Sequence, residues 1–394
     1  MLAPYRKVLS VAGVPRLFAS AVVGRMPQGM STLAILLLVR EATHSYAAAG
    51  AAVGANALAS AAIAPVQGRL IDRCGRARIL VPVAVAQTGV LVLLVSAAHW
   101  GAPAGLLILL SALVGALVPS IAPTVRAILR EVIDDHGARE SAYALESVAQ
   151  EIIWILGPFL VALVVALTSP SWGLLMLGPI CVCGTVLFVR SPLAAQQPVL
   201  HEPQSRVSAL SSGTLRRLLG PIALTGFGLG AVEVGLPSLA LHAGSRSASG
   251  VLLALWSVGS MLGGLWFGSR TWRSPLSTRY RMLLVAGVAF TAPLILARSI
   301  PAGAFCALVA GLAIAPLFSC QYALVGRTVS EGSETEAFTW VTSALVGGIA
   351  AGSAAAGAVI SGGGTGAPFA LGCLATLAAA VVALASRRRA VQLA

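Results

Sequence analysis

Continuous apolar segments of about 20 residues recur along this chain, and they constrain its fold more than any other feature. Residues 79–98 contain no charged side chain, and residues 103–129 contain only Arg126. Each segment is long enough to cross the hydrocarbon core of a bilayer as a helix, and none shows the alternating pattern of a membrane β-barrel strand. Helices satisfy their own backbone hydrogen bonds in lipid. The sequence therefore predicts an all-α integral membrane protein.

Composition supports this prediction, because 57% of the 394 residues are hydrophobic and only 10% are charged. A water-soluble body of this size needs more polar surface. We predict twelve transmembrane helices, at roughly 15–39, 46–67, 79–98, 103–129, 141–167, 171–189, 218–241, 248–269, 280–297, 301–325, 336–359 and 366–386.

The distribution of basic residues predicts the orientation. Arg40, Arg246 and Arg298 fall on one side of the membrane and Arg25 and Arg126 fall inside spans, whereas the rest of the 26 basic residues fall on the other side. Loops rich in Lys and Arg stay in the cytoplasm. We therefore expect a multi-pass protein of the cytoplasmic membrane with both termini cytoplasmic. The net charge of +13 follows from this topology, and we expect no nucleic-acid partner.

A polar stretch from Ser191 to Leu215 separates two blocks of six segments. This pattern predicts an N-terminal six-helix half at 1–190, a cytoplasmic linker at 191–217 and a C-terminal six-helix half at 218–394. Internal duplication is supported by the loop after span eight, where Gly268 is followed by Trp272 and Arg273. Secondary transporters are often built from such repeats and hold their substrate near the midplane between them.

The loop between spans two and three has the sequence Gly68-Arg-Leu-Ile-Asp72-Arg73-Cys-Gly75-Arg76. The glycines permit a turn with positive φ and a close approach of helices. Asp72 can cap a helix N-terminus, and the arginines can bind lipid phosphates or carboxylates. The alternative is an ordinary positively charged cytoplasmic loop, but orientation alone does not require an aspartate among arginines.

This loop resembles a motif of the major facilitator superfamily, in which Gly, three residues, Asp, a basic residue, any residue and Gly precede two basic residues. Ala77 departs from the pattern, and Arg78 supplies a displaced charge. The resemblance, to drug- or sugar-efflux-like permeases, implies two six-helix halves with pseudo-two-fold symmetry around a central cavity, acting as a monomer. It further implies that Gly68, Asp72, Arg73, Gly75 and Arg76 form a latch that controls conformation without touching the substrate.

Ionisable residues inside spans are candidate functional groups, because a charge at the bilayer centre costs about 3 kcal/mol on insertion scales. Arg25 and Glu151 both lie roughly 15 Å from the cytoplasmic end, and Arg126 and Glu146 lie nearer to it. Depth alone permits the pairs Arg25–Glu151 and Arg126–Glu146. Because residues five apart lie about 140° from each other around a helix, we expect Glu146 and Glu151 to bind different neighbours. Such pairs either hold the N-terminal half together or take part in substrate binding and coupling.

Glu233 in span seven lies near the middle of the bilayer and has no obvious basic partner in its own half. A lone carboxyl in an apolar setting can take up and release protons near physiological pH, as a proton-coupled carrier requires. Alternatively, it is a neutral hydrogen-bonded carboxyl or pairs with Arg25 across the cavity. The family resemblance places Arg25, Gln28, Arg126, Glu233 and Gln321 along that cavity.

Three acidic residues, Glu331, Glu334 and Glu336, precede or begin span eleven. They can cap that helix or bind Arg73 and Arg76, but a solvated face is the favoured interpretation. Near the middle of span five, Gly157-Pro158 resembles part of an antiporter motif of the superfamily, although the glycines that follow it there are absent.

The remaining chemistry indicates a carrier without a cofactor. The five histidines are scattered over loops and span ends, and no phosphate-binding loop is present, so we expect neither a metal site nor ATP use. We therefore predict a proton-gradient-driven transporter of a small organic solute, most simply an efflux antiporter. An uptake symporter or facilitator is the main alternative, and a polytopic membrane enzyme or sensor is a remote one.

Overall fold

The computed structural model describes residues 3–196, 208–245, 247–329 and 331–391. Within these ranges every regular element is helical. Two short 3₁₀ helices, Ala209–Ser211 and Ala292–Leu296, accompany the α-helices α1 Ala3–Leu9, α2 Val14–Thr43, α3 Tyr46–Cys74, α4 Arg76–His99, α5 Ala104–Ala116, α6 Ile121–Val132, α7 His136–Leu167, α8 Pro170–Leu175, α9 Leu177–Val189, α10 Pro192–Ala195, α11 Gly213–His242, α12 Ser247–Gly268, α13 Leu276–Thr291, α14 Ile300–Gly311, α15 Ile314–Thr328, α16 Glu334–Gly363 and α17 Ala367–Val391.

Twelve helical segments of the described chain are long and apolar enough to cross a membrane, which confirms the predicted multi-pass architecture. Four of these spans are interrupted: α5 continues into α6, α8 into α9, α13 into a 3₁₀ helix, and α14 into α15. Several helices run beyond the predicted spans, because helical hydrogen bonding does not stop where the apolar sequence ends. The predicted linker at 191–217 includes residues 197–207, which lie outside the described ranges, and so does Arg246. The domain boundaries therefore stay a prediction.

The helices pack as two bundles that meet at one end. In the first half, α2 packs against α3, α7 and α9, and in the second half α11 packs against α12, α16 and α17. Between the halves, α16 packs on α3 and α6, while α12 and α15 pack on α7. The side-chain contacts of these pairs lie toward the end where α3 finishes and α16 begins, which we call the closed end.

The halves separate toward the opposite end, which we call the open end. In the described chain α2 and α11 make no extended packing contact. The contact between α3 and α16 reaches as far as the hydrogen bond from Ser343 to the Ala61 carbonyl, and the contact between α7 and α12 reaches Glu151 and Ser260. A cleft between the halves therefore widens from these contacts toward the open end.

Local sequence explains the turn between α3 and α4. Gly75 has φ 93°, a conformation that side chains with a Cβ rarely adopt. Its N–H still donates to the Ile71 carbonyl, 2.9 Å away, so α3 ends cleanly before α4 begins. The predicted positive φ of a motif glycine is thus found at Gly75.

Helix α1 connects the two halves at the closed end. The Tyr5 hydroxyl lies 3.0 Å from the carbonyl oxygens of both Gly264 and Leu265 in α12. Lys7 binds Asp135, 2.6 Å away, which caps α7. The hydrogen bonds from Lys7 and the Ala138 N–H hold the pKa of Asp135 below its usual value. The basic N-terminal segment is therefore part of the packed bundle.

Candidate functional site: the closed end and the transport cleft

Asp72 caps the first turn of α16 across the boundary between the halves. Its Oδ1 accepts from the Thr335 N–H at 3.1 Å, and its Oδ2 accepts from the Glu336 N–H at 2.9 Å. The N-terminus of a helix leaves N–H groups unpaired and carries partial positive charge, so a carboxylate binds there favourably. The expected partner, a helix N-terminus, belongs to the other half of the protein.

Gly68 allows this capping contact by bringing the two helices close together. A Cβ at this position would lie 2.9 Å from the Glu336 Cα and from the Thr339 Cγ2. Gly268, its counterpart in the second half, likewise approaches Ala144 of α7. The two loops thus occupy equivalent places, but Trp272 stands where the first loop has its aspartate and instead stacks on Phe267.

Arg69 forms the second bond of the latch, a bidentate ion pair with Glu336. Its Nε and Nη2 lie 3.2 and 3.0 Å from the two carboxylate oxygens. Ser208, at the end of the linker, donates to the same carboxylate over 2.6 Å. Arg69 lies one helical turn before Asp72, which places both side chains on the face of α3 that meets α16.

Of the alternatives for the acidic cluster, a solvated face does not describe Glu334 and Glu336, which are buried, and the contact of Glu336 with Arg73 and Arg76 is absent from the described structure. Arg76 follows the turn at Gly75 and binds Glu131 of its own half, with oxygens 2.6 and 2.7 Å away. It also donates to backbone carbonyls of Leu193 and Gln196, which anchors the start of the linker. Arg73 makes no ion pair within the described residues. The basic part of the motif therefore stabilises the first half and the start of the linker. The contact with the second half comes from Asp72 and Arg69.

Three further ion pairs, formed by two carboxylates, close this end. Arg130 of α6 binds Glu334 and donates to two carbonyls of the second half, at Gly326 and Val329.

Glu140 of α7 accepts two hydrogen bonds from Arg279 of α13, at 2.6 and 2.9 Å, and one from Arg327 at 3.1 Å. Sequence reasoning missed these residues because each lies at a span end, where an excess of charge is ordinary. Nothing in the one-dimensional pattern pairs positions more than a hundred residues apart.

At the base of the cleft, Glu146 binds two arginines. Its Oε1 lies 3.0 Å from Arg25 and 3.2 Å from Arg126, and all three side chains are buried. Arg25 also donates to Gln150, one turn along α7 from Glu146. The predicted Arg126–Glu146 pair is present, but Glu146 serves both arginines.

The predicted Arg25–Glu151 pair is absent. Glu151 accepts a hydrogen bond from Ser260 of α12 at 2.8 Å and has no cationic partner in the described structure. The reason is angular, because residues five apart on a helix point about 140° from each other. Glu146 faces α2 and α6, and Glu151 therefore faces α12 in the other half. Depth alone could not distinguish the two carboxylates.

Arg126 links this cluster to the second half. Its guanidinium lies 3.8 Å from the centre of the Tyr322 ring and 3.4 Å from the Thr342 hydroxyl. The cluster contains two guanidinium groups and one carboxylate. The Nε atoms of both arginines and one oxygen of Glu146 are buried without a partner in the described structure.

Glu233 is exposed and makes no hydrogen bond or ion pair with any described residue. On α11, Gly226 and Gly230 pack against α16, whereas Leu229 lies on the side of Trp256 in α12. At 100° per residue, Glu233 points between these two directions. Helices α12 and α16 also contact the first half, so the direction between them leads from α11 into the cleft. It does not pair with Arg25, which is held by Glu146.

The two glutamines predicted from the family occupy different environments. Gln28 lies one turn after Arg25 and is partly exposed. Gln321 is buried inside the second half, with its amide beside the Tyr280 hydroxyl of α13. The roles of both residues stay predictions.

These features define a class: a helical membrane transporter with two bundles, a central cleft and ion pairs closing one end. The family model of the Major Facilitator Superfamily matches residues 17–297. The chain belongs to this superfamily, as its loop motif predicted, which indicates a transporter and not an enzyme.

Solved structures of the same fold are similar over almost the whole chain. The human organic anion transporter MFSD10 (TETRAN) has a TM-score of 0.75 and 17% identity, covering 94% of this chain and 99% of that one. A bacterial homologue of the iron transporter ferroportin, in an outward-facing state, has a TM-score of 0.74 and 14% identity, covering 94% and 98%. At such identities the likeness shows the fold alone. No curated protein matches the sequence significantly.

Proposed function

We propose that this protein is a secondary active transporter that moves a small organic solute by alternating access between its two halves. One observation carries the proposal: ion pairs and a helix cap join the halves at one end, while a cleft separates them at the other. Such an arrangement represents one of the two states that a rocking transporter visits. The opposite state requires those bonds to break and the open end to close.

The closed end is best assigned to the cytoplasm. The arginines of the latch lie there, and cytoplasmic loops carry the excess of positive charge. With this assignment both termini are cytoplasmic, the protein lies in the cytoplasmic membrane, and the cleft faces outward. We propose that it acts as a monomer, because each chain contains a complete cleft.

The latch residues control the equilibrium between the two states. Gly68, Asp72 and Arg69 stabilise the outward-facing state because their contacts to α16 exist only while the closed end is shut. Gly75 shapes the turn, and Arg76 keeps the first half rigid so that movement of α3 is transmitted. None of these residues touches the solute in this scheme, so changes to them should alter turnover more than affinity.

Protons supply the energy, and Glu233 carries them. Its carboxyl faces the cleft without an ionic partner, so it can exchange protons with either side as access alternates. Export in exchange for protons is the preferred direction, supported by the Gly157-Pro158 resemblance to antiporters. Uptake by symport or facilitation uses the same fold and is the competing function. Gln28, Arg25, Arg126, Glu146 and Gln321 surround the pathway.

Accumulation of labelled compounds in an efflux-deficient host tests this proposal. A panel of drugs, sugars and metabolites is compared in cells with the wild type, Glu233→Gln and Asp72→Asn, with and without a protonophore. We expect lower accumulation of at least one class with the wild type, lost in both variants and after the gradient is collapsed. Glu41→Gln, an exposed carboxyl at the end of α2, is the matched control. Higher accumulation with the wild type would establish uptake and overturn the direction.

A further inference from the structure

A cavity lies inside the second half, beside the cleft and distinct from the arginine cluster. It is enclosed by α11, α12, α13, the α14–α15 span and α17. Its walls are mostly apolar and include two aromatic rings, with Leu229, Val232, Trp256, Gly287, Phe318 and Thr376 among the lining residues. Its volume is about 40 Å³, so the apolar part of a small ligand enters between these walls only as the side chains that line them move apart.

The end of the cavity nearer the closed end is polar. Thr225 lines it, and Gln321 follows the lining residues Leu317 and Phe318 by one helical turn. Gln321 is 1% exposed, and its amide lies beside the Tyr280 hydroxyl, which also lies beside Thr225. Buried polar groups normally make hydrogen bonds. An amide offers two donors and an acceptor, so beside a single hydroxyl it keeps hydrogen-bonding capacity for a molecule in the cavity.

Glu233 stands at the other end of the cavity. It follows Leu229 by four residues on α11, so the two side chains are neighbours on one helix face. Helix α12 contains no charged residue over 248–268, and α16 contains none beyond Glu336. The neutral titratable groups of the other adjoining spans include Tyr280 of α13, Cys306 of α14, Cys320 and Tyr322 of α15, and Cys373 of α17, and no described cation faces Glu233.

The arginines of the cleft are less available to a ligand. Arg25 and Arg126 are buried, both bind Glu146, and Tyr322 covers the guanidinium of Arg126. A solute entering from the open end therefore meets an exposed, unpaired carboxylate, while the positive charges are already engaged by protein groups. This charge distribution favours a cation over an anion.

We propose that the transported solute is a small organic cation whose charged group binds Glu233 and whose apolar group enters the cavity of the second half. Gln321 and Thr225 offer hydrogen bonds to a polar substituent at the far end of the apolar group. This inference rests on the proposed transport function and assigns its substrate class. It also makes the same carboxylate serve proton and solute, so that the two bind in alternation.

Equilibrium binding to the purified full-length protein tests the charge preference. Benzylamine, benzoate and benzyl alcohol each contain one benzene ring but are a cation, an anion and a neutral molecule at pH 7. Differences between their affinities therefore report the effect of charge. We expect saturable binding of benzylamine at least tenfold tighter than of the other two, and at least tenfold weaker binding in Glu233→Gln. Glu41→Gln should bind as the wild type. Preference for benzoate, or benzylamine binding unchanged in Glu233→Gln, would overturn the assignment.

A second variant tests the cavity without removing the carboxylate. A Cβ at Gly287 would have only the Thr376 methyl within 4 Å, at 3.7 Å, and Gly287 lines the cavity, so the side chain added by Gly287→Leu takes up its space. We expect it to weaken benzylamine binding at least tenfold, while Gly347→Leu, where a side chain meets open space, has no effect. Unchanged binding in Gly287→Leu would overturn the cavity as the site. These tests measure binding. If they fail, the substrate class is wrong, but the accumulation experiment still decides whether the protein transports a solute.

Discussion

Asp72→Ala should weaken the outward-facing state, because it removes both acceptors from the first turn of α16. The loss of a side-chain cap costs about 1–2 kcal/mol, and loss of the partly buried charge at a helix N-terminus adds up to about 1 kcal/mol. We expect a total of about 2 kcal/mol, which shifts the ratio of outward-facing to inward-facing molecules roughly thirtyfold. Asp72→Asn retains one acceptor and should shift the ratio about fivefold.

Distance measurements between spin labels on the two halves would report this shift directly. Ala77 and Ser277 are exposed at the closed end, one in each half, so cysteines placed there can be labelled after the six native cysteines are replaced. In nanodiscs, the wild type should show mainly a short distance between the two labels, as expected when the closed end is shut. Asp72→Ala should show a second, longer distance from molecules in which this end has opened.

The control is Asp134→Asn, which removes an exposed carboxylate at the same end that binds no described residue. It should leave the distance distribution unchanged. If Asp72→Ala also leaves the distribution unchanged, the capping contact does not hold the halves together, and the latch assignment is refuted.

Three other variants test separate parts of the structure. Tyr5→Phe removes the hydrogen bonds from α1 to α12 and should raise the inward-facing population by about 1 kcal/mol, seen with the same labels; an unchanged population would show that α1 is not part of the closure. Glu146→Gln leaves Arg25 and Arg126 without a counter-charge and should lower the free energy of unfolding by about 3–5 kcal/mol. This is measured as a lower unfolding temperature in detergent, and an unfolding temperature equal to that of the wild type would contradict the buried cluster. Glu233→Gln should make solute exchange independent of pH between 5 and 8, whereas the wild type should slow at the acidic end as protons occupy the carboxyl; a retained pH dependence would assign the proton to another group.

The helical architecture could be predicted from the sequence because membrane insertion depends on local composition. A span of about 20 apolar residues is recognisable without knowing its neighbours. The loop motif was equally local, since Gly68, Asp72 and Gly75 lie within one turn-forming segment. The capping of a helix by Asp72 followed from its chemistry, although the sequence did not reveal which helix it caps.

The pairing of charges could be predicted only in part. Depth along a helix brought Arg126 and Glu146 together, but it also suggested Glu151 for Arg25. The angle between Glu146 and Glu151 follows from their spacing, but the helix that each one faces, α12 for Glu151, is visible only in the packing. The same limit applies to Glu140 and Arg279, which come from distant parts of the chain. Long-range pairs depend on tertiary structure, whereas spans, turns and caps depend on local sequence.

The central claim is that solute export is exchanged for protons through the cleft, and internal pH in proteoliposomes tests it most directly. Vesicles are loaded with a solute found in the accumulation panel and diluted into solute-free buffer, while a trapped dye follows pH. Antiport predicts that the interior acidifies as solute leaves, with the wild type but not with Glu233→Gln. An interior that becomes alkaline would mean symport, and an unchanged pH during solute efflux would mean uncoupled transport; either result contradicts the account.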